Sequence, residues 1–154
     1  EYRRQRQMCI RDSFCTELTV PARPILEKTN EMWHLATPIA GILRESPTTP
    51  APSALELAEM LYPTPAVCGT PQDIAAKMIL QTESDRGFYA GAVGYTDASG
   101  DGEYMVAIRC AEVNGAGNQA RAWAGGGLVA SSDPRSELDE TTAKLRTISR
   151  ALSL

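Results

Sequence analysis

The segment EYMVAIRCAEVNG, residues 103–115, is the longest run in this sequence that is typical of a β-strand. It is mostly apolar or small, and it ends at Asn114-Gly115, a dipeptide that favours a hairpin. A strand candidate precedes it at Tyr89–Thr96, and another follows it at Gln119–Leu128. Because the DASGDG segment (97–102) has turn composition, the order predicts three consecutive antiparallel strands.

Helix signals surround these strands. Ser53 and Glu56 form a capping box that predicts a helix through Leu61. The proline-rich loop LYPTPAVCGTP (61–71) then delivers a second helix to about Thr82, with Thr70 as its cap and Pro71 at its first position. After the capping pair Asp133-Pro134, residues 135–152 predict an amphipathic helix whose apolar stripe is Leu138, Leu145, Ile148 and Leu152.

The amino-terminal third predicts further extended structure. Phe14–Val20 alternates as a strand does, and Trp33–Leu43 reads as extended, with Pro38 and Gly41 favouring an edge or a bulge. The sum is an α+β fold, an antiparallel meander packed against helices.

The first residues are treated apart. Arg3–Ser13, RRQRQMCIRDS, resembles the translation of a transposase adapter used in sequencing libraries. We therefore expect residues 1–13 to be an artefactual tail and residues 14–154 to be the carboxyl-terminal part of one domain. The abrupt start of the remaining sequence at Phe14 predicts that the natural protein continues upstream.

Composition excludes several function classes. The chain carries a net charge of −4, and without residues 1–13, which hold four basic and two acidic side chains, 11 basic and 17 acidic residues leave −6. Such a negative net charge does not favour binding to nucleic acid. No apolar run is long enough for a membrane span, and we expect a cytoplasmic protein. With His34 as the single histidine, any metal is expected to be hard and carboxylate-bound.

Four features could carry chemistry. Arg109 stands in an otherwise apolar strand, where a guanidinium either grips a carboxylate or phosphate or forms a structural ion pair. The amides of Gly125-Gly126-Gly127 could bind an anion, although a flexible strand end explains them equally well. Glu137, Glu140 and Lys144 share one helix face, as a cation and anion site or as a solvated surface. His34 lies in an apolar stretch, where a histidine is more often a hydrogen-bonded core residue, and by itself it indicates no activity.

Six segments follow one another along the chain: WHLATPIAGIL, LYPTPAVCGTP, DRGFYAGAVGY, GDGEYMVAIRCAEV, RAWAGGGLV and SDPRSELDETTAKL. In order and spacing they resemble the chorismate-binding enzymes. The resemblance covers about Thr19–Leu152. Within that family, the PTPAVCGTP loop is most similar to siderophore-type isochorismate synthases. The resemblance implies a layered α/β/β/α fold and a Mg²⁺-dependent isomerase that moves a hydroxyl group in turning chorismate into isochorismate.

The resemblance also implies residue roles. Arg109 would grip a substrate carboxylate, the amides of Gly125, Gly126 and Gly127 would hold the same end, and Lys144 would add charge. Glu140, and secondarily Glu137, would be Mg²⁺ ligands. The remaining pocket residues would be Ala66, Val67 and Tyr89 near the ring, with His34 and Thr37 helping to bind substrate.

The family's general-base lysine, general-acid glutamate and a further Mg²⁺ glutamate are expected upstream, so no catalytic residue is assigned here. We predict that this chain alone is inactive. Alternatives are a sibling activity on chorismate (salicylate, anthranilate or aminodeoxychorismate synthesis) or a non-catalytic interaction module with a degenerate pocket. Expected partners are chorismate and downstream enzymes of a siderophore pathway, with no nucleic acid and no membrane.

Overall fold

A computed structural model describes residues 14–28 and 33–153, which divide into two compact units, one ending at Ser53 and one beginning at Ala54. The first unit holds the strands β1 (Cys15–Thr19), β2 (Ile25–Lys28), β3 (Trp33–Ala36) and β4 (Ala40–Leu43). The second unit holds the helices α1 (Ala54–Leu61), α2 (Gln72–Thr82) and α3 (Pro134–Ala151) and the strands β5 (Ala92–Thr96), β6 (Gly102–Val106), β7 (Cys110–Val113) and β8 (Ala120–Trp123).

In the first unit, two antiparallel pairs are nested. β1 pairs with β4, and β2 pairs with β3 between them along the chain. The predicted extended segment Trp33–Leu43 is therefore two strands, interrupted at residues 37–39 around Pro38, which lacks a ladder donor. The short strand β2 was not predicted, because its four residues carry no alternating pattern.

In the second unit, two hairpins follow one another. β5 pairs with β6 across a turn in which a carboxylate oxygen of Asp97 accepts from the backbone amides of Ser99 and Asp101. β7 pairs with β8 across a loop in which the side-chain oxygen of Asn114 accepts from the amide of Asn118 at 3.0 Å. Helix α1 packs against the β5–β6 hairpin. The α+β class and the antiparallel pairing are confirmed. The predicted three-stranded meander is instead two separate two-stranded sheets, β5–β6 and β7–β8.

The predicted long strand Glu103–Val113 is broken in its middle. β6 ends at Val106 and β7 begins at Cys110, because Arg109 adopts a left-handed backbone with φ of 52° that a strand cannot accommodate. The predicted strand at Tyr89 likewise starts only at Ala92, since Tyr89 lies in a turn. The last predicted strand ends at Trp123, and the glycines after it have no regular structure.

The helix predictions were accurate in extent and mixed in capping. The carboxylate of Asp133 caps α3 by accepting from the amide of Ser136 at 2.9 Å, as predicted. At α2 the prediction was wrong. Pro71 occupies the N-cap position, and no side chain caps the helix, so Thr70 is not its cap.

Few side chains are buried. Among the described residues, only Cys15, Ala90 and Ile148 are buried apolar residues, whereas Leu80 and Phe88 remain more than 80% exposed. Of the predicted stripe on α3, Ile148 is buried and Leu138 is 65% exposed. Across residues 14–28 and 33–153, no helix combines the length and hydropathy that a membrane crossing requires.

Candidate functional site

A cavity of about 360 Å³ opens in the second unit. Its wall is made of loop, turn and helix residues that are far apart in sequence. Eight of the ten predicted substrate-binding residues lie in this wall. The full lining is Ala66, Val67, Glu83, Arg86, Tyr89, Ala90, Ile108, Arg109, Ala124, Gly125, Gly126, Gly127 and Lys144.

Interruptions of regular structure bring these residues together. Arg109 occupies the break between β6 and β7, and Gly125–Gly127 follow directly after β8. Ala90 and Arg109 both have left-handed backbones, with φ of 64° and 52°. Such conformations cost free energy in a residue with a side chain and are concentrated at functional sites. The strain at two positions of one cavity wall marks this region as a candidate site.

Among the described residues, Arg109 is the cation of this cavity for which no protein partner is found. Within residues 14–28 and 33–153, no side chain forms an ion pair or hydrogen bond with its guanidinium. The predicted structural ion pair is therefore absent from this part of the chain. A free guanidinium in a concave site can grip a carboxylate through two parallel hydrogen bonds.

The glycine segment adds donors to the same wall. The amides of Gly125, Gly126 and Gly127 donate no hydrogen bond within the described residues. Three successive amides beside a free guanidinium favour an anion. Gly125 also has a steric role, because a Cβ there would lie 2.6 Å from the hydroxyl oxygen of Tyr89.

Lys144 is paired rather than free. Its Nζ donates to the carbonyl oxygen of Gly125 at 2.9 Å and lies 2.6 Å from Oε1 of Glu140. The hydrogen bond from Lys144 lowers the pKa of Glu140 below its ordinary value. The predicted pairing of Glu140 and Lys144 is confirmed. The hydrogen bond from Lys144 to the Gly125 carbonyl ties α3 to the glycine segment.

The two predicted metal ligands lie on α3 beside the cavity. Ser132 Oγ donates to Oε1 of Glu137 at 2.6 Å, and Oε2 of Glu137 lies 3.2 Å from the position of a Cβ on Gly126. Among the described residues, no three His, Cys, Asp or Glu side chains cluster as a metal site. Mg²⁺ commonly takes one or two carboxylates and completes its shell with substrate and water, so binding of this ion by the two glutamates stays a prediction.

Two charged residues of the wall were not predicted. Arg86 Nε and Nη2 each donate to a carboxylate oxygen of Glu83 at 2.7 Å, and Nη1 donates to the carbonyl of Val67 at 2.9 Å. The hydrogen bond from Arg86 lowers the pKa of Glu83, and burial raises the pKa of Tyr89. The signal that could have found them is the i,i+3 spacing of opposite charges just beyond α2. The helix rule for such pairs does not apply there, because α2 ends at Thr82.

The remaining predicted residues belong to the first unit. Thr37 is half-buried in the connection between β3 and β4. His34 pairs through its backbone with Glu27, and its side chain lies outside the described part of the structure. The predicted tail, residues 1–13, also lies outside it. The roles of His34 and Thr37 stay predictions.

The amino-acid sequence of this chain is similar to those of known isochorismate synthases. The chain is 51% identical over 142 residues to the isochorismate synthase DhbC of Bacillus subtilis, which covers 92% of this chain and 34% of the relative. It is 41% identical over 140 residues to the isochorismate synthase EntC of Escherichia coli K12, covering 90% of this chain and 34% of the relative. The chain thus spans about a third of the length of these relatives.

The fold of this chain is also similar to that of a solved structure. It comes from Bacillus anthracis and is described as a "putative 2,3-dihydroxybenzoate-specific isochorismate synthase, DhbC". The TM-score is 0.87 at 46% identity, over 96% of this chain and 38% of the other. The sequence profile of the family described as "Chorismate binding enzyme" matches residues 9–153. With a profile match over nearly its whole length, this chain belongs to the chorismate-binding enzyme family.

Proposed function

We propose that this chain forms the substrate-binding wall of an isochorismate synthase, which converts chorismate to isochorismate. The observation that carries the proposal is that the Arg109 guanidinium and the amides of Gly125–Gly127 line one cavity and have no hydrogen-bond partner among the described residues. The names of the relatives support it, since each is an isochorismate synthase. A pocket in decay would not be expected to keep these donors together, which argues against a non-catalytic module.

The chemistry of the substrate matches the wall. Chorismate carries two carboxylates, and the guanidinium of Arg109 can donate two parallel hydrogen bonds to one of them. The amides of Gly125–Gly127 can hold the same end, and Tyr89 with Val67 can border the ring. Holding the substrate in one orientation lowers the entropic part of the barrier. Lys144, already bonded to Gly125, would act mainly by fixing the glycine segment.

Mg²⁺ remains part of the proposal. Glu137 and Glu140 would hold it from α3, where Glu140 would exchange its contact with Lys144 for the ion. When bound, Mg²⁺ acts as a Lewis acid and stabilises negative charge that develops on oxygen. We propose siderophore biosynthesis as the pathway, which the name of one relative supports: a protein of Vibrio cholerae, 42% identical over 146 residues, is described as a vibriobactin-specific isochorismate synthase.

The test is a binding experiment on the full chain. Chorismate is titrated into ¹⁵N-labelled protein with and without Mg²⁺, and the amide resonances of Gly125–Gly127 are followed. We expect saturable shifts at these glycines, and Arg109→Gln should weaken binding at least tenfold, because a charged hydrogen-bonded pair contributes about 1.5–3 kcal/mol.

The matched control is Arg121→Gln. Arg121 lies on β8 with its guanidinium 5.1 Å from the ring centroid of Trp123 and does not line the cavity. This variant should bind chorismate as the unchanged chain does. Equal loss in both variants, or shifts confined to other parts of the chain, would reject the proposed site.

A further inference from the structure

The wall of the cavity contains a charged pair, Glu83 and Arg86, to which neither the family resemblance nor the proposed chemistry gives a role. Both residues line the cavity. From their contacts we propose that Arg86, anchored by Glu83, is a positioning residue that fixes the Val67 carbonyl and the Tyr89 ring in the substrate-binding wall. The part of the proposal that concerns chorismate affinity rests on the proposed function.

The anchor is the end of a helix. Glu83 is the C-cap residue of α2, and its own amide donates to the carbonyl of Ile79 at 2.9 Å. Both of its carboxylate oxygens then accept from Arg86 at 2.7 Å. A bidentate pair fixes the plane of the guanidinium as well as its position, because two parallel hydrogen bonds define an orientation. The guanidinium therefore takes its orientation from α2.

From this plane Arg86 reaches two pieces of the wall. Nη1 donates to the carbonyl oxygen of Val67 at 2.9 Å, which holds the turn that carries Ala66 and Val67. The carbon Cζ lies 5.8 Å from the ring centroid of Tyr89, within cation–π distance. Only an arginine can contact the Glu83 carboxylate, the Val67 carbonyl and the Tyr89 ring together. A lysine ammonium lacks the planar guanidinium with its several fixed N–H donors.

The chain of contacts continues to the anion-binding glycines. The hydroxyl oxygen of Tyr89 occupies the space that a Cβ on Gly125 would need, only 2.6 Å away. The carbonyl of Gly125 in turn accepts from Lys144. A displaced Tyr89 would press on or release this segment, so Arg86 influences the substrate through its neighbours while its own donors are committed to protein groups.

The experiment separates positioning from simple stabilisation. Three variants of the full chain are made: Arg86→Lys, Glu83→Gln, and the charge exchange that combines Glu83→Arg with Arg86→Glu. Arg121→Lys is the matched control, because Arg121 also lies over an aromatic ring but outside the cavity. Chorismate affinity is measured by calorimetry, urea midpoints by circular dichroism, and the Val67 amide and Tyr89 ring signals by NMR.

We expect Arg86→Lys to weaken chorismate binding at least tenfold although the positive charge remains. The charge exchange should restore the ion pair and bring the urea midpoint back toward that of the unchanged chain. It should not restore affinity or the Val67 and Tyr89 signals, because a glutamate at position 86 has no donor for the Val67 carbonyl. Glu83→Gln, a milder change that keeps one acceptor oxygen, should shift both signals and weaken binding less.

The result that overturns the proposal is unchanged affinity in Arg86→Lys, or full recovery of affinity in the charge exchange. If the unchanged chain itself does not bind chorismate, the proposed function fails and the NMR signals alone decide the positioning role. Signals at Val67 and Tyr89 that move in Arg86→Lys and do not return in the charge exchange uphold it. Signals that stay in place reject it.

Discussion

Arg109 combines a positively charged side chain with a strained backbone conformation in the wall of the cavity. Its φ of 52° lies in a region that side chains rarely adopt, and Ala90, also left-handed, lies in the same wall. The amide of Ala90 donates to the carbonyl of Ala107, so hydrogen bonds between the two segments stabilise the turn beside Arg109. Cross-strand bonds of this kind over-determine a conformation that would be unfavourable alone.

Gly125 is the glycine whose lack of a side chain matters most to the site. In Gly125→Ala the added methyl would meet the Tyr89 hydroxyl at 2.6 Å, a separation that requires one of the two to move. We expect this variant to weaken chorismate binding about tenfold, equivalent to about 1.4 kcal/mol, as measured by calorimetry.

Gly115→Ala is its control. A Cβ at Gly115 meets nothing within 4 Å, and this glycine lies in the β7–β8 loop outside the cavity. Its affinity should equal that of the unchanged chain. Wild-type affinity in Gly125→Ala would mean that Tyr89 and Gly125 do not need their close approach for binding.

Glu83 should make stability depend on pH. The hydrogen bond from Arg86 lowers the pKa of Glu83 in the folded chain, so its stabilising effect is fully present above the ordinary glutamate pKa. This stabilisation is lost as the pH falls from the ordinary glutamate pKa through the lowered pKa of Glu83 in the folded chain. The contribution is below about 1 kcal/mol, because the Glu83 side chain is 43% exposed.

Urea unfolding of the unchanged chain and of Glu83→Gln from pH 7 down to about pH 3 measures this effect. The variant should be the less stable of the two at neutral pH, and the difference should close at the acid end. A difference that is constant over the whole range would mean that Glu83 does not titrate with a lowered pKa.

At the scale of the elements, the limits of sequence reasoning have physical causes. Residues 54–61 and the last helix were predicted nearly to the residue, because capping boxes and Asp-Pro pairs act locally. The break at Arg109 was missed, since nothing in MVAIRCAEV signals a left-handed residue. Of the site residues that local patterns indicated, Arg109, Gly125–Gly127 and Lys144 line one cavity, whereas Glu137 and Glu140 are not among its lining residues. Arg86 was missed because its role depends on a contact with Val67, 19 positions away.

Helix α3 offers a matched pair of substitutions. Ile148 is 6% exposed and Leu138 is 65% exposed on the same helix. Ile148→Ala should lower the unfolding free energy by about 2–4 kcal/mol through lost burial and an unfilled space. Leu138→Ala should change it by less than about 0.5 kcal/mol.

Urea unfolding, followed by circular dichroism in the far-ultraviolet helix band, would measure the change in unfolding free energy of both variants. Equal losses at the two positions would show that Leu138 is covered in solution, by self-association of the chain or otherwise. Dilution of the protein then separates these cases, because only self-association depends on concentration.

At the scale of the whole molecule, buried apolar surface is scarce. Three apolar residues are buried among those described, and the exposed ones include Leu35, Phe88 and Leu128, each above 75%. A surface of this kind favours association and binds hydrophobic dyes. The chain also spans about a third of the length of its relatives, so its own fold represents only part of theirs.

We therefore expect the chain alone to be marginally stable and without turnover. The family resemblance predicts that the general base and the general acid lie upstream, and each such group typically contributes ~10²–10⁴-fold to the rate. Chorismate and Mg²⁺ are incubated with the chain, and isochorismate is measured by chromatography beside full-length DhbC of Bacillus subtilis as the positive control. Product formation at a comparable rate, together with steep cooperative urea unfolding and no dye binding, would contradict this expectation. Turnover without stability would instead mean that the residues of this wall suffice for the chemistry, and Arg109→Gln would then be the variant that abolishes it.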